Sequence, residues 1–314
     1  MTRVTPKSLA AAVPVTKPTL LDVLPRFQRH LAAENKAPRT IKSYSEAVER
    51  LHEYLVGQGM PSTVAGITAE HVEMFLADQL ARLRPSSARV RYASLRQFFL
   101  YVARELGEVT TSPMVNMRPP AVPEQPVPVM SEEKLRALLR TTERDRSFLG
   151  LRDAAILRLF VDTGARLSEV SNLLTDDVNL SSGAVTFMGK GRRTRVNAIG
   201  SKTVRALDRY IAVRDRHPDA ATPVLWLGTQ GPMTSVGVAE AVKRRADHAG
   251  VGPLHVHQLR HSAAHHWRLE GMDDDSVMRN MGWRDRSMLH RYGASAADER
   301  AQAAHRRLSL ADRL

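Results

Sequence analysis

HVHQLRHSAAHHW, residues 255–267, places five histidines and one arginine in thirteen positions. In a helix beginning near His257, the apolar residues Leu259, Ala263 and Trp267 recur every four positions, while His257, Arg260 and His261 share another surface. His257, His261 and His265 also stand at i, i+4 and i+8, a spacing that can ligate zinc. The segment has neither the glutamate of an HExxH motif nor a cysteine, and Arg260 would set a fixed positive charge beside the cation. An arginine among imidazoles suits an anion better. No metal is expected, and the stretch reads as a helix that handles a phosphate.

The rest of the chain agrees with a polyanionic partner. Its 314 residues suffice for two ordinary domains, and 43% hydrophobic with 25% charged content fits buried cores. The net charge is +13 and the 46 basic residues comprise 38 arginines and 8 lysines, planar forks suited to paired phosphate contacts. On charge alone, a ribosomal or merely basic, solvated protein is the alternative to that reading. The absence of cysteine excludes disulfides, thiolate metal sites and a cysteine nucleophile, and fits a cytoplasmic, DNA-associated protein. The basic start and apolar run LAAAVPV invite comparison with a secretory signal, but Pro14 breaks the run, and residues 1–17 read as a flexible tail. No stretch approaches the ~20 apolar residues of a membrane span.

Residues 18–111 read as a small all-helical domain. Leu20, Leu24, Phe27 and Leu31 form one helical stripe, and Ile41, Tyr44, Val48, Leu51 and Leu55 a second, opened by Pro38. Val72, Phe75, Leu76 and Leu80 mark a third, and Leu95, Phe98, Phe99 and Val102 a fourth. Around the third connection stand Arg82, Arg84, Arg89, Arg91 and Arg96, either backbone-contacting residues or a solvated face. SPMVNMRPPAVPEQPVPVM, residues 112–130, has six prolines in nineteen positions and reads as a semi-extended linker. Beyond it, Ser131 caps a helix with acids in its first turn, a second helix through LRDAAILRLFVDTG stops near Gly164, and GAVTFMGKGRRTRVNAI gives a hairpin. Val204, Leu207 and Ile211 add another helical stripe. The fold class is mainly α, a helical domain followed by a mostly α domain with a small antiparallel hairpin.

HQLRH, 257–261, resembles the H-x-x-R box of the tyrosine recombinases, the phage-integrase family, and the companions of that box occur in family order. DTGARLSEVSNL, 162–173, resembles the first arginine box, with Arg166 as the arginine and Glu169 as its acidic support. MGKGRRTR, 188–195, resembles the β-hairpin lysine motif, with Lys190 in that place and Arg192 and Arg193 beside it on a DNA-facing hairpin. MGWRDRSMLHRYG, 281–293, resembles the last box and its nucleophile, with Trp283 where histidine is commoner and Tyr292 nine residues later. Tryptophan retains an N–H donor but cannot carry a proton. The resemblance covers roughly residues 18–298, with a core-binding domain over 18–111, a catalytic domain over 131–298, and no separate arm-binding domain.

The resemblance implies attack of Tyr292 on a DNA phosphodiester, giving a 3′-phosphotyrosine and a free 5′-hydroxyl. Arg166 and Arg260 would hold the nonbridging oxygens, with His257 and Trp283 completing the cradle. Lys190 would protonate the leaving oxygen, and His257 would assist deprotonation of Tyr292. The ester conserves the bond energy, so neither ATP nor another cofactor is expected, and no phosphate-loop motif is present. His261 and His265 read as lying behind the site or solvated, His255 and His266 as surface residues. Tyr44, Tyr54, Tyr92, Tyr101 and Tyr210 read as packing residues.

Several other functions are weighed on the same residues. An inactive architectural DNA-binding protein of this fold predicts a broken catalytic set, and none is broken. A carboxylate-metal nuclease would use Asp162, Asp176, Asp177 or Asp273–Asp275, which fall at helix ends and turns where capping explains them. A type IB topoisomerase shares the tyrosine chemistry but would not need the tail ERAQAAHRRLSLADRL, 299–314. The resemblance implies that this helix docks on a neighbour in a homo-tetramer on two double-stranded DNA sites; packing on its own domain is the alternative. The last motif favours a phage or mobile-element integrase over a chromosome-dimer or plasmid resolvase.

Overall fold

The stripe beginning at Leu20 forms α1 (Leu20–Ala33) in the computed structural model of the chain, which describes residues 17–107, 109–123, 128–189, 194–286, 288–289, 301–302, 305–306, 308 and 311. Thr19 and Asp22 cap α1 reciprocally, and Leu20, Leu24, Phe27 and Leu31 are buried as the spacing requires. Pro38 opens α2 (Pro38–Gly57), where its missing N–H costs nothing. The unit is completed by α3 (Ala69–Arg82) and α4 (Pro85–Tyr101), the last continuing into a π turn over Val102–Leu106 that ends at Gly107. Phe27 and Phe98 meet edge to face at 5.3 Å in its core. Leu80 departs from the expected stripe: Gln79 faces inward, and Leu80 is exposed in the last turn of α3.

The chain divides into two compact units, bounded at Glu124 and Gln125. The ends of the proline-rich stretch are not extended linker. Met114 is buried in the core of the first unit, and the Tyr92 hydroxyl donates to the Met117 carbonyl at 2.5 Å. At the other end Met130 is buried in the second unit, where its N–H donates to Ser262 Oγ at 2.9 Å.

The second unit is again mainly α. Ser131 caps α5 (Glu132–Arg140), accepting from the Lys134 N–H, with Glu132 and Glu133 in the first turn. There follow α6 (Phe148–Thr163), the short α7 (Leu167–Ser171), and an antiparallel sheet of β1 (Val178–Asn179), β2 (Ala184–Met188) and β3 (Thr194–Ala198), in which Phe187 pairs with Arg195. Next come α8 (Ser201–Arg214), the β4–β5 ribbon (Leu227–Gly228 with Gly231–Pro232), α9 (Ser235–Ala249), α10 (Val256–Leu269) and α11 (Asp274–Met281). The core gathers α6, α8, α9 and the sheet around Phe160, Phe187, Tyr210 and Trp226. Tyr210 stacks on Trp226, donates to the Leu225 carbonyl and accepts from the Leu227 N–H, each at 2.9 Å.

Behind this core lies a buried ionic cluster: Asp153 on α6 accepts from Arg152, Arg244 and Arg245, and Arg245 also reaches Asp145 at 2.8 Å. No helix among the described residues is long and apolar enough to cross a membrane.

Candidate active site

Gly164 terminates α6 in the left-handed conformation at φ 57°, which strains any other residue, and a Cβ there would also crowd Met281 Cε at 2.4 Å and Ala263 Cβ at 3.1 Å. The chain then reverses so that Arg166 stands at the N-cap of α7. Glu169, one turn on, closes the turn: its carboxylate accepts from the Arg166 N–H and from Arg166 Nη1, both at 2.7 Å. Arg166 is the more open of the pair, at 40% side-chain exposure against 3% for Glu169.

Arg260, on α10, is 1% exposed. Its Nη1 donates to the Gly164 carbonyl at 2.7 Å and its Nη2 to the Met281 carbonyl at 2.6 Å, so one guanidinium ties the turn before Arg166 to the turn before Trp283. Gly282 ends α11 at φ 62°, delivering Trp283 to within 5.6 Å of the Arg260 guanidinium carbon, measured to the ring centroid. Three of the sequence motifs thus converge although they lie up to about 120 residues apart.

His257 stands in the first turn of α10 and is exposed, yet protein atoms crowd its ring. That loss of water, followed by the Arg260 and Arg166 charges, holds its pKa below the ordinary 6.5. Its ring meets His261 edge to face at 4.7 Å. His261 and His265 are buried, which settles the two readings left for them against solvation. His266, which the sequence suggested as a surface residue, is not one. It is half-buried and its Nε2 lies 2.9 Å from the Met130 carbonyl, because the chain enters this unit across the outer side of α10. His255 is exposed as expected. No group of three or more His, Asp or Glu side chains that could hold a metal occurs among the described residues.

Glu169 has a second cation that the motifs did not announce. Arg195, on β3, places Nη1 and Nη2 at 2.6 and 2.8 Å from the two carboxylate oxygens. Burial pushes the Glu169 carboxyl up, but the Arg195 hydrogen bonds and the Arg166 N–H outweigh it and bring the pKa to about 2. A signal was present in the sequence: Arg195 and Asn197 occupy one face of the strand and Val196 the other, and here the polar face points inward while Val196 is 65% exposed.

Lys190, Arg192, Arg193 and Tyr292 lie outside the described residues, as does most of 299–314. The other five tyrosines all pack in cores or against them. Three acids of the nuclease reading have structural partners: Asp162 accepts from the Gly200 N–H, Asp177 from the Leu174 N–H, and Asp273 caps α11. In the first unit Arg82, Arg84, Arg89 and Arg96 are exposed at the end of α3 and along α4; Arg82 pairs with Asp78. Arg91 is half-buried, and burial followed by the Arg50 charge lowers its pKa.

Residues 128–299 match the model of the phage integrase family, and residues 23–108 that of the phage integrase N-terminal SAM-like domain. Tyrosine recombinase XerC of Xanthomonas campestris pv. campestris is 31% identical over 260 residues, spanning 82% of this chain and 79% of that protein. XerC of Pelobacter propionicus is 28% identical over 278 residues, 87% and 90% of the two chains. Among solved structures, the XerH site-specific recombinase in its post-cleavage complex with palindromic difH substrate superimposes with a TM-score of 0.72 at 18% identity, over 90% of this chain and 83% of that one. Lambda integrase residues 75–356, as a dimer bound to a COC′ core site, gives 0.67 at 18% identity, over 86% and 97%. The chain belongs to the phage integrase family, and it is accordingly a tyrosine-type site-specific DNA recombinase.

Proposed function

We propose that the second unit breaks and rejoins one DNA strand at a time through Tyr292, with Arg166, Arg260, His257, Trp283 and Lys190 acting on the scissile phosphate. The phenol oxygen of Tyr292 bonds to phosphorus as the bond from phosphorus to the 5′-oxygen breaks. The phenolic proton passes toward His257, which its depressed pKa keeps neutral and able to accept near pH 7. Lys190 supplies the proton taken by the 5′-oxygen. Arg166 and Arg260 donate to the nonbridging oxygens as charge builds there, each worth roughly 2.7–4 kcal/mol if it behaves like other preorganised donors. Trp283 adds a neutral N–H donor. Glu169 sets the orientation of Arg166. Reversal by an exchanged 5′-hydroxyl rejoins the strand without ATP.

The observation that carries this reading is the double anchorage of Arg260. A guanidinium that is 1% exposed and joined to the carbonyls of residues 164 and 281 gathers three distant motifs at one place. Integration and resolution both run on this chemistry, so the proposal concerns strand breakage and rejoining common to the two. Exposed Arg82, Arg84, Arg89 and Arg96, the half-buried Arg91, and Arg192 and Arg193 on the hairpin contact the phosphate backbone of double-stranded DNA. The first unit, through residue 111, is the core-binding domain, 112–130 the connection, and 131–298 the catalytic domain. The tail 299–314 docks on a neighbour in a tetramer; lambda integrase crystallised as a tetramer bound to a Holliday junction supports such an assembly here.

The test uses nicked duplexes that the full-length protein has selected from a randomised pool, incubated in EDTA. Wild type is expected to form an SDS-resistant protein–DNA adduct and Tyr292→Phe none; an adduct that survives the substitution removes the assigned nucleophile. Deletion of 300–314 is expected to abolish synapsis while leaving the single-site adduct, and undiminished strand exchange removes the docking role.

A further inference from the structure

Arg195 is assigned nothing by the motif reading, yet all three of its guanidinium nitrogens donate to groups around the site. Its fork takes both oxygens of Glu169, and its Nε donates to the Asn280 carbonyl at 3.0 Å. The guanidinium carbon lies 4.8 Å from the centroid of the Phe187 ring on β2, and the stem runs beside Gly282, where a Cβ would make ordinary contact with Cδ at 3.4 Å. Asn197, two residues along the same strand, donates to the same Asn280 carbonyl at 3.1 Å. The side chain is 13% exposed, and its Nε, Nη1 and Nη2 all donate to protein acceptors.

Two arginines therefore join the same pair of segments. Arg260 bonds Gly164 and Met281; Arg195 bonds Glu169 and Asn280. A single tie leaves the segments free to rotate about it, whereas a second tie at a different point removes that freedom. Arg195 brings a third member, β3, which begins four residues after Lys190 in the sequence.

We propose that Arg195 is a positioning residue for strand cleavage, which orients Arg166 through Glu169 and the Trp283 turn through Asn280, and couples both to the hairpin. This rests on the reading of Arg166 and Trp283 as phosphate-holding groups. Lysine cannot replace it, because the three N–H groups of an ammonium share one nitrogen and cannot span both oxygens of Glu169 and the Asn280 carbonyl as a planar fork does. Losing it displaces groups near the phosphate without removing any of them, and a misplacement near 1 Å costs about a hundredfold in rate.

The experiment compares full-length wild type, Arg195→Met and Arg195→Lys on the nicked duplexes described above, measuring single-turnover adduct formation, duplex affinity and melting midpoint. The expected result for Arg195→Met is a loss of adduct rate of about a hundredfold, with duplex affinity within about threefold of wild type. A merely structural role would not alter the pH profile. Without Arg195 the buried Glu169 carboxylate loses its main stabilising partner, so protonation moves up into the assay range and cleavage acquires an acid limb, which Glu169→Gln in the same background abolishes. If Arg195→Met does not fold, Arg195→Lys is the reporter: the same rate loss and acid limb support the proposal. A folded Arg195 variant that cleaves within about threefold of wild type, or that slows with no change of pH profile, overturns it. Absence of an adduct with wild type, or its persistence in Tyr292→Phe, sinks the underlying assignment of the site instead.

Discussion

Replacing Glu169 with glutamine keeps the shape of the side chain and removes its charge, which makes it a direct measure of how the site is held together. The carboxylate accepts four hydrogen bonds at 2.6–2.8 Å, two from Arg166 and two from Arg195, and is 3% exposed. Its pKa falls from the ordinary 4.5 to about 2 on folding. At 1.36 kcal/mol per pKa unit this amounts to about 3 kcal/mol of stability. The folded pKa lies below the unfolded one, so the contribution is complete above pH 4.5 and is lost as the pH falls toward about 2. Removing one partner of a buried ion pair typically costs about 3–5 kcal/mol, an independent figure of the same size. The assay is urea unfolding of the full-length chain followed by tryptophan fluorescence, since Trp226, Trp267 and Trp283 all belong to the second unit. Glu169→Gln is expected to be less stable by about 3 kcal/mol at neutral pH, with a gap that holds to about pH 5 and narrows below about pH 4. A variant within about 0.5 kcal/mol of wild type at pH 7, the range of neutral surface changes, or a gap that does not narrow in acid, refutes the account.

Arg260→Lys leaves one ammonium to serve two carbonyls, and charged hydrogen bonds contribute about 1.5–3 kcal/mol each; the expected drop in stability is about 2–4 kcal/mol, accompanied by loss of the adduct. Unchanged calorimetric melting of the folded variant argues against the anchorage. Asp153→Asn strips the charge that balances Arg152, Arg244 and Arg245 and is expected to destabilise the second unit by about 3–5 kcal/mol; a melting midpoint equal to that of wild type would show that the cluster adds nothing. His257, crowded and facing Arg260 and Arg166, is expected to titrate below 6.5 in the ring-proton NMR spectrum, and a midpoint above that value would mean that these cations do not face its ring.

What the sequence made legible follows the strength of its periodicities. The stripes from Leu20 to Leu31 and from Ile41 to Leu55 extend over three or more turns, and each became a helix. Ser131 and Gly164 carried the chemistry of their caps openly. The strands β1, β4 and β5 are two residues each, too short to show alternation against their neighbours. The proline-rich stretch misled because composition says how a segment resists regular structure and nothing about what its side chains touch; Met114 and Met130 found cores all the same. Leu80 and His266 were displaced by helix ends and a crossing chain, features that exist only in three dimensions. Arg195 was hidden among the neighbouring arginines of the hairpin, where charge disguised a side chain that turns inward.

The geometry explains why so much positive charge can be gathered in one place. Helix C-termini leave carbonyls without intrahelical donors and carry about half a negative charge, so they favour cations. Gly164 ends α6, and Asn280 and Met281 end α11; their carbonyls accept from Arg260 and Arg195. Backbone dipoles thus solvate guanidinium groups that would otherwise each require a buried acid. Among Arg166, Arg195, Arg260 and Glu169, three positive charges face one negative, a surplus that an acid for every arginine would have cancelled. Under the proposed function a phosphodiester would meet an Arg260 already desolvated and fixed beside a more open Arg166, so Arg260 needs little reorganisation as charge grows on the oxygens. Positioning and electrostatics share a source here: the carbonyls that help hold Arg260 and Arg195 still cancel none of the site's positive charge.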